Sequence, residues 1–186
     1  MNLLTLKECH KIFGQQLINL LGCNPDGVRK DNQQESGPFH KIEENVCYYY
    51  VRSVDDPTNR QIDTRYNALD ETKAQQINSY NRVMELNITM YGDDAYDKAV
   101  LLRMDLLEPT RNWDLATKGL YIIPEVAEPF AIWEHYNNRW WPRVDMQVRY
   151  NNLVTDDRHE VHYLTAADIT VVSEQQEHSI EVKEGE

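Results

Sequence analysis

Residues 140–153 constrain the fold of this chain most, because apolar and polar side chains alternate strictly along them. The apolar members are Val144, Met146, Val148 and Tyr150, and the polar members between them are Arg143, Asp145, Gln147 and Arg149. This alternation predicts a β-strand with two unlike faces. At roughly 3.3 Å per residue the strand would extend about 45 Å, which exceeds an ordinary strand. We therefore expect part of it to leave the core as a bent or projecting ribbon.

The polar face of this strand carries charges at every second residue. Arg143, Asp145 and Arg149 all lie on it. Such spacing suits ion pairs with a neighbouring strand or subunit better than it suits catalysis. A sheet face that is simply solvated explains the same pattern equally well.

Local signals predict two main helices and a short third one. Thr5 followed by Glu8 is a capping box, and apolar residues then recur at helical spacing until Gly22. Asp93 is the expected N-cap of the second helix. The predicted helices cover residues 5–21, the segment from Asp93 to Pro109, and residues 112–118.

Runs of β-branched, aromatic and alternating residues predict the strands. They cover residues 46–54, which we expect to be the first strand, 82–91, 120–123, 128–136, 140–153 and 161–172. Each helix has one apolar stripe and each long strand one apolar face, which predicts an α+β fold: a mainly antiparallel β-sheet with two α-helices packed on one face. The expected core comprises Phe13, Leu17, Met84, Leu86, Ile88, Ala99, Leu102, Val144, Met146 and Val148.

The length of the chain fits one domain, over residues 1–173, followed by an acidic flexible tail at 174–186. Two polar excursions interrupt the domain, at 23–44 and 55–79. The second excursion is too long for a simple connection. We interpret it as a projecting hairpin or an arm that contacts another subunit, and disorder is the alternative.

The formal charge of −12 excludes a protein that grips nucleic acid through clustered lysine and arginine. The three cysteines are an odd number without CxxC spacing, which favours a reducing compartment. Charged residues interrupt the apolar N-terminus, so we expect neither a signal peptide nor a membrane span.

Motifs of the common enzyme classes are absent from the sequence. His159 and His162 are the nearest approach to a metal-ligand pair, but along a strand the two rings would point to opposite faces. We therefore expect no catalytic residues, no metal and no cofactor.

Four aromatic residues gather around a turn between two strands. Trp133, Tyr136, Trp140 and Trp141 flank the pair Asn137-Asn138. Tryptophan at such a position either plugs the end of the sheet or anchors a neighbouring subunit. With Arg143 and Arg149, these four residues are the candidate subunit interface.

The order of the elements resembles a known family. The strand VMELNITMYG leads through Tyr91-Gly92 into the helix DDAYDKAVLLRMDLL, and GLYIIP and RWWPRVDMQVRY follow. Alanines at one-turn spacing, and a late strand with an aromatic, an arginine and alternating apolar residues, complete the set. Over about residues 80–155 the chain is similar to the bacteriophage neck and tail terminator proteins.

The resemblance implies a structural virion protein, assembled in the host cytoplasm, that forms a homo-oligomeric ring of six subunits at the neck or head-proximal end of the tail. Such a ring caps the tail tube and joins it to the head connector. Its partners would be connector or stopper proteins on one side and tail tube or sheath proteins on the other. Double-stranded DNA would pass through the lumen without specific binding, and no membrane would be involved.

The acidic pair Asp93-Asp94 is the candidate for the lumen, where negative charge would repel DNA phosphates. The same charge on an outer surface would only aid solubility. Another head-tail joining component, such as a stopper or tail-tube protein, is the alternative within this class. A small ligand-binding domain or enzyme is the alternative from a different class.

Overall fold

The computed structural model describes residues 3–31, 40–162, 166–173 and 176–183 of the chain. Side chains are described up to residue 162, except those of Thr58 and Tyr136. The described residues form three α-helices, which are α1 (Leu6–Leu21), α2 (Ala95–Leu107) and α3 (Trp113–Ala116). The strands are β1 (Val28–Lys30), β2 (Val46–Val54), β3 (Asp63–Ala68), β4 (Lys73–Tyr91), β5 (Leu120–Ile122), β6 (Phe130–Tyr136), β7 (Arg139–His162), β8 (Ala166–Ser173) and β9 (Gln176–Lys183).

Seven of these strands form one sheet in the order β1-β2-β4-β7-β5, and β3 and β6 pair with β4 and β7 respectively. The pairs of β2 and β3 with β4, and of β5 and β6 with β7, are antiparallel, whereas β1 is parallel to β2. Strands β8 and β9 form a separate antiparallel pair. The α+β fold with a mainly antiparallel sheet is therefore confirmed.

By the density of its contacts the chain divides into two compact units. The larger unit comprises Asn2–Gln61 and Tyr80–Val154, and contains all three α-helices. The smaller unit comprises Ile62–Ser79 and Thr155–Glu186, together with Met1. That the chain forms a single domain up to residue 173 stays a prediction, as does the flexible acidic tail, although strand β9 falls within the tail segment.

The core of the larger unit lies between the sheet and the helices. Helix α1 begins with the predicted capping box, in which the Thr5 hydroxyl accepts from the Glu8 amide and the Glu8 carboxylate accepts from the Thr5 amide. Its residues Phe13 and Leu17 are fully buried. All ten predicted core residues are buried and belong to one hydrophobic cluster, as the alternation and helical spacing require.

Several element boundaries differ from the sequence predictions. The excursion at 23–44 contains β1, which sequence patterns miss because three residues carry no periodicity, so the strand at 46–54 is the second and not the first. The N-cap of α2 is Asp94, one residue after the predicted Asp93. Strand β7 continues to His162, and a separate strand begins at Ala166.

The excursion at 55–79 forms a hairpin, as preferred from the sequence. Strand β3 pairs with the first residues of β4, from Asp63 opposite Ser79 to Ala68 opposite Ala74. The Asp70 carboxylate accepts hydrogen bonds from the backbone amides of Thr72 and Lys73, which closes the connecting turn. Every residue of β3 is exposed, including Tyr66.

Candidate functional site: the aromatic hairpin and the polar sheet face

The hairpin β6–β7 positions most of the side chains that the sequence singled out. Its two-residue turn consists of Asn137 and Asn138, whose φ angles are 49° and 58°. Asparagine tolerates this left-handed region, and two such residues in succession suit the tight turn of a hairpin. Tyr136 pairs with Arg139 across the turn at the backbone level, and the side chain of Tyr136 lies outside the described part of the structure.

One face of the hairpin presents aromatic rings to solvent. Trp133 is 68% exposed and Trp140 is 61% exposed. His135 lies directly opposite Trp140, and their ring centroids are 4.9 Å apart. Directly opposed residues share a face of a sheet, so Trp133, His135 and Trp140 form one surface, which we call the aromatic face.

The opposite face of the hairpin, which we call the inner face, carries one buried ring. Trp141, opposite Glu134, is only 8% exposed. Its ring centroid lies 5.2 Å from that of His40 and 6.5 Å from that of Tyr91. Trp141 therefore belongs to an internal aromatic cluster, and its assignment to a subunit interface stays a prediction.

Glu134 and Arg143 connect this cluster to the strands. The Tyr91 hydroxyl donates to Glu134 Oε2 at 2.7 Å, and Arg143 Nη1 lies 3.4 Å from the same oxygen. Arg143 Nε donates to Asp145 at 2.9 Å, and this bond, first among several causes, raises the pKa of Arg143. Burial, reinforced by the Glu134 carboxylate, raises the pKa of Tyr91. The phenol and the guanidinium therefore both keep their protons at neutral pH.

A second charge cluster lies further along the same face of β7. Glu85 is fully buried, although alternation assigned it to the polar face of β4. Arg52 Nε donates to Glu85 Oε1 at 2.6 Å, and Arg149 Nε donates to Glu85 Oε2 at 3.3 Å. Burial alone would raise the pKa of Glu85, but hydrogen bonds from Asn87 and Arg52 lower it on balance. Glu85 is therefore an ionised carboxylate covered by two arginines.

The charges on this polar face are thus paired within the chain. Between the two clusters, the Thr89 hydroxyl donates to Asp145, and Gln147 donates to Asn87. Three arginines and three carboxylates participate: Arg52, Arg143, Arg149, Glu85, Asp145 and Glu134. The sequence suggested partners on a neighbouring strand or subunit, and the structure supplies the neighbouring strands.

The two candidate lumen residues lie at the turn between β4 and α2. Asp93 and Asp94 are both exposed. The Asp94 carboxylate accepts a hydrogen bond from the side-chain amide of Asn45 at 3.3 Å. In return, the side-chain oxygen of Asn45 accepts a hydrogen bond from the backbone amide of Asp94. Gly92, with φ of 111°, makes this turn possible because Asn45 leaves no room for a Cβ atom.

Within the described residues, no group of three or more His, Cys, Asp or Glu side chains is placed to hold a metal ion. No α-helix in the described ranges is long and apolar enough to cross a membrane.

Sequence reasoning missed His40, Tyr48 and Glu134 as members of this region. They come from three separate segments, and no pattern within any one segment links them. The position of Tyr91 was partly predictable, since its alternation with Met90 predicts that its ring lies on the face opposite to the core.

Comparison with known proteins agrees with this architecture. No protein with a curated description matches the chain. The sequence profile of a family described as phage neck terminator protein matches residues 7–176, which include the helices, the hairpin and the polar sheet face. The chain belongs to the phage neck terminator protein family.

Proposed function

We propose that copies of this chain assemble into a ring, most simply of six subunits, that caps the tail tube and joins it to the head connector. Connector or stopper proteins contact one side of this ring, and tail tube or sheath proteins contact the other. Its lumen lets double-stranded DNA pass without specific binding. Membership of the phage neck terminator family supports the position in the particle.

The observation that carries the ring is the aromatic face. A monomer gains nothing from presenting two large rings about two-thirds exposed on one side of a hairpin, whereas an interface is often anchored by tryptophan. Trp133 and Trp140 are therefore proposed as the anchors between subunits. Tyr136, whose side chain lies outside the described part of the structure, stays a candidate from the sequence. Trp141, Arg143 and Arg149 act from the inner face, where they hold the hairpin and the neighbouring strands in the shape that the interface requires.

Charge supports passage of DNA through the ring. Six copies carry a formal charge of −72, six times the −12 of one chain. If the exposed pair Asp93-Asp94 lines the lumen, it repels the phosphates and keeps the genome from adhering. A ring with these residues on its outside would have the same charge but no such effect on DNA.

The test is the mass of the native assembly, measured by light scattering or native mass spectrometry, for the parent and for the double variant Trp133→Ala/Trp140→Ala. We expect a ring for the parent and a monomer for the variant. Trp113→Ala is the matched control, because Trp113 is 69% exposed on α3 but lies outside the hairpin. A parent that stays monomeric and does not join purified tails or necks, or a double variant that assembles like the control, contradicts the proposal.

A stopper or tail-tube role is the second candidate, since such proteins share the need for subunit contacts. Electron microscopy of particles with a labelled chain separates the roles by position. Label at the junction of tail tube and connector supports the terminator role, and label along the tube contradicts it.

A further inference from the structure

Helix α2 carries apolar side chains on its solvent side as well as on its core side. Its buried stripe consists of Ala95, Ala99, Leu102 and Leu106. At 3.6 residues per turn Met104 points directly away from Ala95, and Tyr96 and Leu101 lie on either side of Met104. All three are exposed, Leu101 by 61% and Met104 by 62%. We call Tyr96, Leu101 and Met104 the outer face of α2.

Helix α1 belongs to the same core but has a different solvent side. Its exposed residues at one-turn spacing are Lys11, Gln15 and Asn19, all polar. This is the ordinary pattern of a helix with one side in water, whereas a helix that is apolar all round is typically covered all round. The outer face of α2 therefore has the composition of a surface that a further protein covers.

A closed ring of more than two copies needs two unlike surfaces on each copy. A surface that pairs with its own counterpart produces a two-fold dimer, whereas a ring joins one surface of each subunit to a different surface of the next. The aromatic face supplies only one of these two surfaces. Among the helices that the structure describes, α2 presents the largest group of exposed large apolar side chains, against Leu6 on α1 and Trp113 on α3.

The aromatic face continues the side of the sheet on which the helices lie. Trp140, Pro142 and Val144 occupy alternate positions of β7, so their side chains share one side of the strand. Val144 is buried in the core between the sheet and the helices, whereas Trp140 is exposed. One side of the sheet is thus covered by helices of the same chain at Val144 and left open at Trp140. A helix of another copy is the element that extends this layer.

We propose that the outer face of α2 receives the aromatic face of a second copy of this chain. The inference rests on the proposed ring and names the two surfaces that meet at each junction. The exposed parts of Trp133 and Trp140 amount to roughly 320 Å², for side chains of about 250 Å² each. With a similar area from α2, the apolar centre of a junction buries about half of the roughly 1,200 Å² at which specific interfaces begin.

The two surfaces also match in their polar groups. Asp97 is exposed on the solvent side of α2, one turn before Leu101. His135 is exposed on the aromatic face beside Trp140. A carboxylate on one surface and an imidazole on the other form a complementary pair, which favours this register of two unlike surfaces over the pairing of either surface with itself.

The experiment measures native mass against protein concentration for the full chain. Leu101→Gln/Met104→Gln is the α2 variant, and it should keep the circular dichroism of the parent, because both positions are exposed and glutamine favours a helix about as well as leucine or methionine. We expect the concentration at half-assembly to rise about ten-fold or more. Leu3→Gln/Leu6→Gln is the matched control, because it replaces two exposed leucines at the start of α1, and it should assemble like the parent.

A mixture of two variants decides whether the two surfaces contact each other. The α2 variant keeps the aromatic face, and Trp133→Ala/Trp140→Ala keeps the outer face of α2. When they are mixed, one junction with two intact surfaces remains possible between them. We therefore expect a complex of one copy of each variant that does not grow further, and that neither variant forms alone.

An α2 variant that assembles like the control would overturn the inference. So would a mixture of two monomeric variants that yields no one-to-one complex, or dimers of the tryptophan variant alone, which would show that the outer face of α2 pairs with itself. A parent that stays monomeric contradicts the ring and this inference together. An assembled parent with an unaffected α2 variant contradicts this inference and leaves the ring in place.

Discussion

Glu85 provides the most direct test of how the polar sheet face is held together. The residue is fully buried, and its carboxylate contacts Arg52, Arg149 and Asn87. Replacing it with glutamine keeps the size of the side chain and removes the charge. We expect Glu85→Gln to fold but to unfold at a lower temperature than the parent.

The expected loss of folding stability in Glu85→Gln follows from how exposed Arg52 and Arg149 are. Breaking a fully buried ion pair costs about 3 to 5 kcal/mol, because the remaining charge stays buried without a partner. Here the arginine side chains are about half exposed, at 54% for Arg52 and 47% for Arg149, so water can solvate them after the change. The cost should therefore fall to about 2 to 3 kcal/mol, near that of hydrogen bonds to a charged group. For a chain of this length it corresponds to roughly 5 to 10 °C in Tm.

The dependence on pH identifies the mechanism. Hydrogen bonds lower the pKa of Glu85 in the folded state, so its contribution to stability is fully present above the pKa of the unfolded chain. The contribution is lost as pH falls through the folded-state pKa. The difference in Tm between parent and Glu85→Gln should therefore be largest near pH 7 and should shrink below about pH 4.

The assay is thermal unfolding followed by circular dichroism at pH 7 and at pH 3.5. Glu128→Gln serves as control, because Glu128 forms an exposed surface pair and such pairs contribute about 0 to 1 kcal/mol. A Glu85→Gln variant as stable as the control at pH 7 would refute the reasoning. So would a loss of stability that is the same at both pH values, since it would report on packing and not on charge.

Two further predictions concern assembly. Arg143→Ala and Arg149→Ala should each lower ring stability, measured by native mass against protein concentration, while the circular dichroism of the monomer stays the same. Normal assembly of both variants at high and low salt would show that these arginines act only in ion pairs within one chain. Deleting residues 58–79 should leave a folded larger unit, by circular dichroism, but weaken ring formation or docking to tails. The reason is that Ile62–Ser79 belong to the smaller unit and none of the deleted residues belongs to the main hydrophobic cluster. A deletion variant that assembles like the parent would mark the hairpin as a passive excursion.

Strong local patterns predicted much of the fold. The strand at residues 46–54 coincides with β2, and the capping box fixes the start of α1. Alternation along β4 and β7 identified the buried face, because every second residue of a strand lies on the same face of the sheet. The sequence patterns did not predict strand β1, because it has only three residues and is defined by its pairing with the parallel strand β2.

The candidate site was only partly predictable. The position of Trp133 and Trp140 beside an Asn-Asn turn follows from local sequence, and the structure adds that these two rings share the exposed face. The cluster around Trp141 requires His40, Tyr91 and Glu134 to meet from distant segments, which depends on the pairing of whole strands. The burial of Glu85 is equally invisible in the sequence, because it depends on which side chains lie on the two adjacent strands.

The two faces of the hairpin differ in what each would contribute to the proposed assembly. On the inner face the arginines already contact carboxylates of the same chain, so an interface there would have to replace these contacts and gain little. On the aromatic face, burial of one tryptophan that is 68% exposed removes roughly 170 Å² from water, for a side chain of about 250 Å². At about 25 cal/mol per Å² this burial contributes about 4 kcal/mol, within the range of an interface anchor. The aromatic face is therefore expected to supply the affinity between subunits, and the paired charges to supply the rigid support behind it.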